Sequence, residues 1–314
     1  MSRTFFIVGP TATGKSELAA DVARDLGAEI VSADAFQIYR GLNFLTAKPT
    51  AATLAKAPHH LIGMIPLTEE MNAEKFRRLA AHAINEINVR GKLPIIVGGS
   101  GLYAKALTHG FSPLPEFDPK LRERMNEISL DVLRARLADL DPETARKIDL
   151  KNRRRVTRAL EICLLTGKPA SAQPQQSSVT GGLDVDAGPH SSPVATGVFV
   201  FRDREELYER INQRVEEMFK NGVLEEVRVV ESFSATASQM IGLGEIRELL
   251  AGKKSLAECI AQIQQATRRY AKRQLTWFRR QTNFLPLNLS FLTHNEAVKW
   301  ISLRILSEAG TKDD

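Results

Sequence analysis

The sequence predicts an α/β fold in which a parallel sheet is flanked by helices and interrupted by a mainly helical insertion. Three observations lead there. The apolar run Phe5-Phe6-Ile7-Val8 stops at a glycine and is followed by Leu18, Ala19, Val22, Ala23 and Leu26 at helical spacing. Two later runs, Ala28-Glu29-Ile30-Val31-Ser32-Ala33-Asp34 and Leu93-Pro94-Ile95-Ile96-Val97-Gly98-Gly99-Ser100, have the same form, apolar and then polar, as buried parallel strands do. Between them Phe76, Leu79, Ala80, Ala83, Ile84 and Ile87 recur every three or four residues from Ala73 to Val89, so strand and helix alternate.

The first turn is the most informative. Gly9-Pro10-Thr11-Ala12-Thr13-Gly14-Lys15-Ser16 fits G-x-x-x-x-G-K-[ST] and lies between a strand and a helix, the order a phosphate-binding loop requires. In such a loop backbone N–H groups curl around phosphate oxygens, Lys15 adds a point charge and the Ser16 hydroxyl binds Mg²⁺, while the helix N-terminus turns its partial positive charge to the anion. The expected architecture is therefore a P-loop NTPase-like parallel sheet. Ligands of open α/β sheets sit beyond the carboxyl ends of the strands, so residues 9–16, Asp34 and Ser100 are expected to converge on one crevice.

From Pro113 no strand-like run occurs before Val194. Short amphipathic stretches replace it, with Leu121, Met125 and Ile128 on one stripe and Val156, Leu160 and Leu164 on another. The expected division is a split core, 1–112 with 194–314, and a helical insertion domain, 113–193. Its end, about 170–193, is rich in Ser, Gln, Gly and Pro and reads as a flexible loop. A strand is expected to resume at Val194–Phe201, then a helix from Glu205 to about Lys220 that buries Leu207, Ile211, Val215 and Met218. Arg214 lies roughly 70° from the centre of that face and borders the core, whereas Arg210 is further round.

The chain has 314 residues, 43% hydrophobic, with a formal charge of +6, which permits a polyanionic partner without demanding one. No stretch approaches the roughly 18 apolar residues of a membrane span, and no signal peptide precedes the first strand, so a cytoplasmic protein is expected. Cys163 and Cys259 lack metal-ligand spacing and read as core residues. Adjacent side chains of an extended segment face opposite ways, so His59 and His60 are expected to be structural and not to share a metal. Two basic clusters point to nucleic acid: Lys151, Arg153, Arg154, Arg155 and Arg158 in the insertion, and the stretch Thr267–Arg280, where Lys272, Arg273 and other cations surround Tyr270, Trp277 and Phe278.

These residues resemble the tRNA dimethylallyltransferase family, also called tRNA isopentenyltransferases, over nearly the whole chain. G-P-T-A-T-G-K-S is similar to the family's phosphate loop, S-A-D-A-F-Q-I-Y at Ser32–Tyr39 to its D-S-x-Q-x-Y box, and G-G-S-G-L-Y at Gly98–Tyr103 to its G-G-T-G-L-Y. T-A-K-P at Thr46, H-H-L at His59, R-A-L-E at Arg158, T-G-K-P at Thr166, R-I-x-x-R at Arg210, I-G-L-G-E at Ile241 and Y-A-K-R-Q-x-T-W-F-R at Tyr270 follow in order. Ser100 stands where the family usually has threonine, Leu243 where it has tyrosine, and the run Arg153–Arg155 lacks a proline often found there.

The resemblance implies transfer of a dimethylallyl group from dimethylallyl diphosphate to the exocyclic amine of the adenosine immediately 3′ of the anticodon in tRNA. Gly9, Pro10, Thr11, Ala12, Thr13, Gly14, Lys15 and Ser16 would hold the diphosphate, with Mg²⁺ held through Ser16, and Arg214 would stabilise the departing charge. Asp34 would accept the amine proton, and Ser100 would hydrogen-bond the amine or a diphosphate oxygen. Gln37 would read an adenine edge. Arg153, Arg154, Arg155 and Arg158 with Tyr270, Lys272, Arg273 and Trp277 would hold the anticodon stem-loop while the target base is extruded. A monomer is expected. Two alternatives stand beside this reading. One is a P-loop small-molecule kinase in which Lys15 and Ser16 hold ATP, disfavoured because the run ending at Ser100 carries no Mg²⁺-binding aspartate. The other is a prenyltransferase acting on free adenylate.

Overall fold

Phe5–Val8 forms β1, and its four side chains are all buried, as a strand covered on both faces demands. The remaining strands are β2 (Glu29–Ser32), β3 (His59–His60), β4 (Pro94–Gly98), β5 (Thr196–Phe201) and β6 (Leu285–Asn288). All pair in parallel, in the order β3-β2-β4-β1-β5-β6. The coordinates are a computed structural model, and they describe residues 4–110, 115, 118–173, 196–281 and 284–310. The parallel sheet flanked by helices is the expected fold.

β3 and β6 were not expected. β3 is two residues long, too short for any periodicity, and β6 is an edge strand that tolerates Pro286. His60 Nε2 lies 2.7 Å from the buried Glu29 carboxylate on neighbouring β2, and His59 Nδ1 lies 2.7 Å from the Ala57 carbonyl, so both histidines are engaged structurally.

Each face of the sheet carries its own core. Phe6, Val8, Val31 and Ile96 pack with Phe76, Ile84 and Ile87 of the helix Ala73–Val89 on one side. Phe5, Ile7, Ile30, Ile95 and Val97 pack with Leu18, Val22 and Ala23 of the helix Lys15–Leu26 and Ile301 of the helix His294–Gly310 on the other. The period-two alternation along β1 sends neighbours to opposite cores. Burying each such side chain contributes on the order of 1.5–3 kcal/mol.

The chain divides into two units, Met1–Gly110 with Thr180–Asp314, and Phe111–Val179. The second holds the helices Pro119–Glu127, Leu130–Leu140, Pro142–Lys147 and Arg153–Thr166. Its core comprises Met125, Leu133, Leu137, Val156, Ala159 and Leu160. Leu164, expected on the buried stripe, is 52% exposed; Cys163, one residue earlier, takes the buried position a turn beyond Leu160. Of the segment expected to be flexible, Ala170–Ala172 forms a 3₁₀ turn, and 174–193 lies outside the described residues. Cys163 and Cys259 are buried free thiols. No helix among the described residues is long and apolar enough to cross a membrane.

Candidate active site

The strand order sets the site. β2, β4, β1 and β5 are consecutive in the sheet, so the loops leaving their carboxyl ends lie side by side. Backbone hydrogen bonds stitch them together: Gly9 N–H donates to Gly98 O at 3.2 Å, Ala33 N–H to Val97 O at 2.7 Å and Ser100 N–H to Ala33 O at 3.4 Å. Residues far apart in sequence thus meet at one edge, as expected of Gly9–Ser16, Asp34 and Ser100.

The phosphate loop is wound for an anion. Ala12 and Gly14 adopt φ of 65° and 90°, left-handed values that fold successive N–H groups toward a common centre. For Ala12 this conformation costs roughly 1–2 kcal/mol, a strain held at the site by its surroundings. Pro10 O anchors the turn, accepting from Thr13 Oγ1 at 3.0 Å and from Lys15 Nζ at 3.1 Å. Thr13 is fully buried, and its hydroxyl closes the loop. Ser16 follows Lys15 at the start of the helix, near the positive end of its dipole.

Three arginines grip the loop from outside. Arg214 Nη1 donates to Thr11 Oγ1 at 2.7 Å, Arg210 Nε to Ala12 O at 2.9 Å and Arg202 Nε to Thr13 O at 2.9 Å. Arg202 was missed by sequence reasoning, although it lies at the carboxyl end of β5, and Arg210 was set aside as too far round its helix. Both donate to backbone carbonyls of the loop. Burial holds the Lys15 ammonium down at about 8 instead of 10.5, against the pull of Asp34 and with the push of Arg214. Burial likewise lowers Arg214, and Asp34 again opposes the shift.

Asp34 stands just past β2. Its Oδ1 accepts N–H from Phe36 at 2.9 Å and Gln37 at 3.3 Å, which fixes the carboxylate by its own turn and leaves Oδ2 for another partner. Asp34, Thr11, Arg214 and Tyr270 line one cavity of about 80 Å³, whose apolar wall includes Phe44, Leu45, Met218, Met240 and Ile263. A single water needs about 10–15 Å³, so a ligand group of several atoms fits there. Burial and then the Asp34 charge push the Tyr270 phenol upward, keeping it a neutral hydrogen-bond donor. Ser100 caps the helix Gly101–Thr108 without a side-chain capping bond, so its hydroxyl is not tied to that helix end.

The helix Leu256–Gln281 closes over these loops. Trp277 packs so tightly on Gly101 that a Cβ there would lie 2.3 Å from the indole. Lys272 and Arg273 are exposed, with the Arg273 guanidinium 5.7 Å from the Tyr270 ring centre. Gln37 is engaged within the fold: its Nε2 donates to Ala47 O at 2.9 Å and its Oε1 faces Ser32 Oγ at 3.3 Å. The edge expected to read an adenine is thereby half occupied.

In the unit Phe111–Val179, two of the four arginines expected to bind RNA are engaged locally. Arg153 Nη2 caps the helix Pro119–Glu127 through the carbonyls of Met125, Asn126 and Ile128 at 2.6, 3.1 and 2.6 Å. Arg158 reaches the fully buried Glu161 at 2.6 Å and Pro115 O at 2.8 Å. Arg154 and Arg155 are exposed and line an open surface groove with Thr144 and Asn152.

Among the described residues no group of three or more His, Cys, Asp or Glu could hold a metal ion. Mg²⁺ does not depend on such a group, since it keeps several waters and takes substrate phosphate oxygens with one or two protein ligands. The hydroxyl of Ser16 would be a protein ligand of that kind.

A central strand that feeds a phosphate loop, cations behind that loop and a carboxylate on the next strand but one define a P-loop α/β protein with an anion site. Residues 37–281 match the IPP transferase family, and the chain belongs to that family. It is 41% identical to tRNA dimethylallyltransferase of Akkermansia muciniphila over 98% of its own length and 99% of that protein. It is 43% identical to tRNA dimethylallyltransferase 1 of Citrifermentans bemidjiense over 88% of each chain. Among solved structures it superposes on the full-length tRNA isopentenylpyrophosphate transferase of Bacillus halodurans with a TM-score of 0.68 and 34% identity, covering 98% of this chain and 97% of that one. A eukaryotic dimethylallyltransferase acting on tRNA gives a TM-score of 0.77 at 26% identity, covering 100% and 82%.

Proposed function

We propose that this protein transfers a dimethylallyl group from dimethylallyl diphosphate to the N6 amine of the adenosine immediately 3′ of the anticodon in tRNA, releasing pyrophosphate. The observation that carries the reading is the shared cavity that Asp34, Thr11 and Arg214 line together with apolar side chains. An allylic carbon leaves pyrophosphate only if the departing charge is stabilised. Lys15, Arg214 and the N–H groups of the loop are preorganised for that and require no reorganisation during the step. The apolar wall suits a five-carbon chain and excludes water that would otherwise capture the allylic cation.

The amine of adenine is a weak nucleophile, because its lone pair is delocalised into the ring. Asp34 accepts its proton as the new C–N bond forms and the C–O bond to diphosphate breaks. The Asx turn that fixes Oδ1 aims the other oxygen, Oδ2, for this purpose. Mg²⁺, held through Ser16, would supply charge neutralisation on the diphosphate when bound. Exposed Arg154, Arg155, Lys272 and Arg273 are the side chains free to contact RNA phosphates, with Arg153 and Arg158 supporting the first two from within their helix. A monomer acting on tRNA in the cytoplasm completes the reading.

The test is incubation of the purified chain with radiolabelled dimethylallyl diphosphate and either unmodified tRNA or AMP. Label is expected in tRNA, at the adenosine 3′ of the anticodon. Label in AMP alone would establish the adenylate alternative, and label in neither would end the proposal.

A further inference from the structure

Gln274 joins the two loops between which the reaction is proposed to run. Its side chain is 6% exposed, on the helix Leu256–Gln281. Its Oε1 accepts the Thr11 N–H at 2.9 Å, and its Nε2 donates to Gly99 O at 2.7 Å. Thr11 belongs to the phosphate loop and Gly99 immediately precedes Ser100, so one planar amide spans the gap between the leaving-group cradle and the loop after β4.

The surroundings are built to admit it. A Cβ at Gly99 would lie 2.3 Å from Gln274 Nε2 and 3.0 Å from Gly9 O, so the bare backbone of Gly99 leaves the room that the Gln274 amide occupies. The Thr11 hydroxyl in turn accepts from Arg214 at 2.7 Å. An orientation imposed on the Thr11 backbone therefore reaches a second cation of the cradle. An apolar side chain of equal size would fill the space but leave Thr11 N–H, Gly99 O and the Tyr270 hydroxyl without this partner, whereas the amide supplies donor and acceptor together at any pH.

We propose that Gln274 is a positioning residue: by holding Thr11 and Gly99 on one amide it sets the distance between the diphosphate and the Ser100 side of the site. The inference rests on the prenyl transfer proposed above. Gln274 acts through Thr11, Gly99 and its hydrogen bond to Tyr270, so its loss acts on the alignment of the reacting groups and not on their affinity. A misplacement of about 1 Å costs on the order of 100-fold in rate.

Gln274→Glu and Gln274→Met in the full chain separate this from a structural role. The glutamate keeps an acceptor for Thr11 N–H but presents Gly99 O with a lone pair, and protonation restores the missing donor. The expected result is kcat reduced about 100-fold for both variants at pH 8, with KM for each substrate within about threefold. Relative to wild type, Gln274→Glu should recover as pH falls toward 6 and Gln274→Met should not. A loss carried by KM, parallel pH profiles for the two variants, or wild-type kcat in Gln274→Met would each overturn the proposal. Hydrogen exchange over residues 9–16 gives a readout independent of catalysis: Gln274→Met should speed exchange of the Thr11 amide at least about tenfold, and unchanged exchange would refute the proposed anchoring. Should the wild-type chain transfer no prenyl group, the proposed activity fails while the exchange result still decides the role of Gln274.

Discussion

Deprotonating Lys15 removes a cation of the phosphate loop itself, and burial brings that titration down to about 8 from 10.5. The sign follows from the cause. Burial disfavours the charged ammonium, an arriving diphosphate favours it, and so the protonated form is the one that binds. Affinity for dimethylallyl diphosphate in the absence of tRNA should be highest below pH 8 and fall above it. With a titration at about 8, the ammonium is about 90% charged at pH 7 and about 10% charged at pH 9, a tenfold weakening worth about 1.4 kcal/mol. Isothermal titration calorimetry in two buffers of different ionisation enthalpy checks this directly, with about half a proton taken up per ligand near pH 8. Lys15→Arg cannot titrate in this range and should give a flat profile whatever its absolute affinity. A flat wild-type profile from pH 7 to 9, or proton release on binding, would refute the reasoning. The linkage has a counterpart in the ligand-free protein: the unfolded chain holds this proton more tightly, so the contribution of Lys15 to stability increases as pH rises from about 8 toward 10.5.

Other perturbations test the frame around the site. Gly101→Ala drives a methyl group into the Trp277 indole, with 2.3 Å available, and should lower Tm by about 2–10 °C in a thermal melt. Glu226 accepts the N–H groups of Phe44 and Leu45 at 2.9–3.2 Å and so anchors one wall of the cavity. Glu226→Ala should raise KM for dimethylallyl diphosphate by about 3–10-fold, a loss of about 1 kcal/mol, with KM for tRNA unchanged in steady-state assays. Charge reversal at Arg154, Arg155 and Arg273 together should raise KM for tRNA at least about tenfold and flatten its salt dependence, while diphosphate binding stays intact in calorimetry.

What the sequence made legible follows from the range of the forces involved. The strand, loop and helix spanning Phe5 to Leu26 are fixed by neighbours within a turn, and their order could be read directly. The convergence of Asp34 and Ser100 on that loop also followed, because parallel α/β sheets place such residues at strand ends. Contacts between distant segments were not legible. Gln274 reaches Thr11 across 263 positions and Arg210 reaches Ala12 across 198, and neither residue type announces such a partner. The run of basic residues at Arg153–Arg158 shows the opposite error. Charge density alone suggested four phosphate contacts, but Arg153 is drawn to the open carbonyls of a helix end and Arg158 to a buried carboxylate. β6 stayed hidden because Leu285 and Pro286 are exposed, which removes the alternation that marks a strand.

The most direct test of the central claim, that a diphosphate cradle and a proton-accepting carboxylate act on one reaction, is single-turnover transfer by Asp34→Asn with diphosphate affinity measured alongside. Asparagine keeps an oxygen for the N–H groups of Phe36 and Gln37, so the turn survives while the proton acceptor is lost. Transfer to tRNA should slow by about 10²–10⁴-fold, with Kd for dimethylallyl diphosphate within about threefold of wild type. Transfer at the wild-type rate would contradict the account.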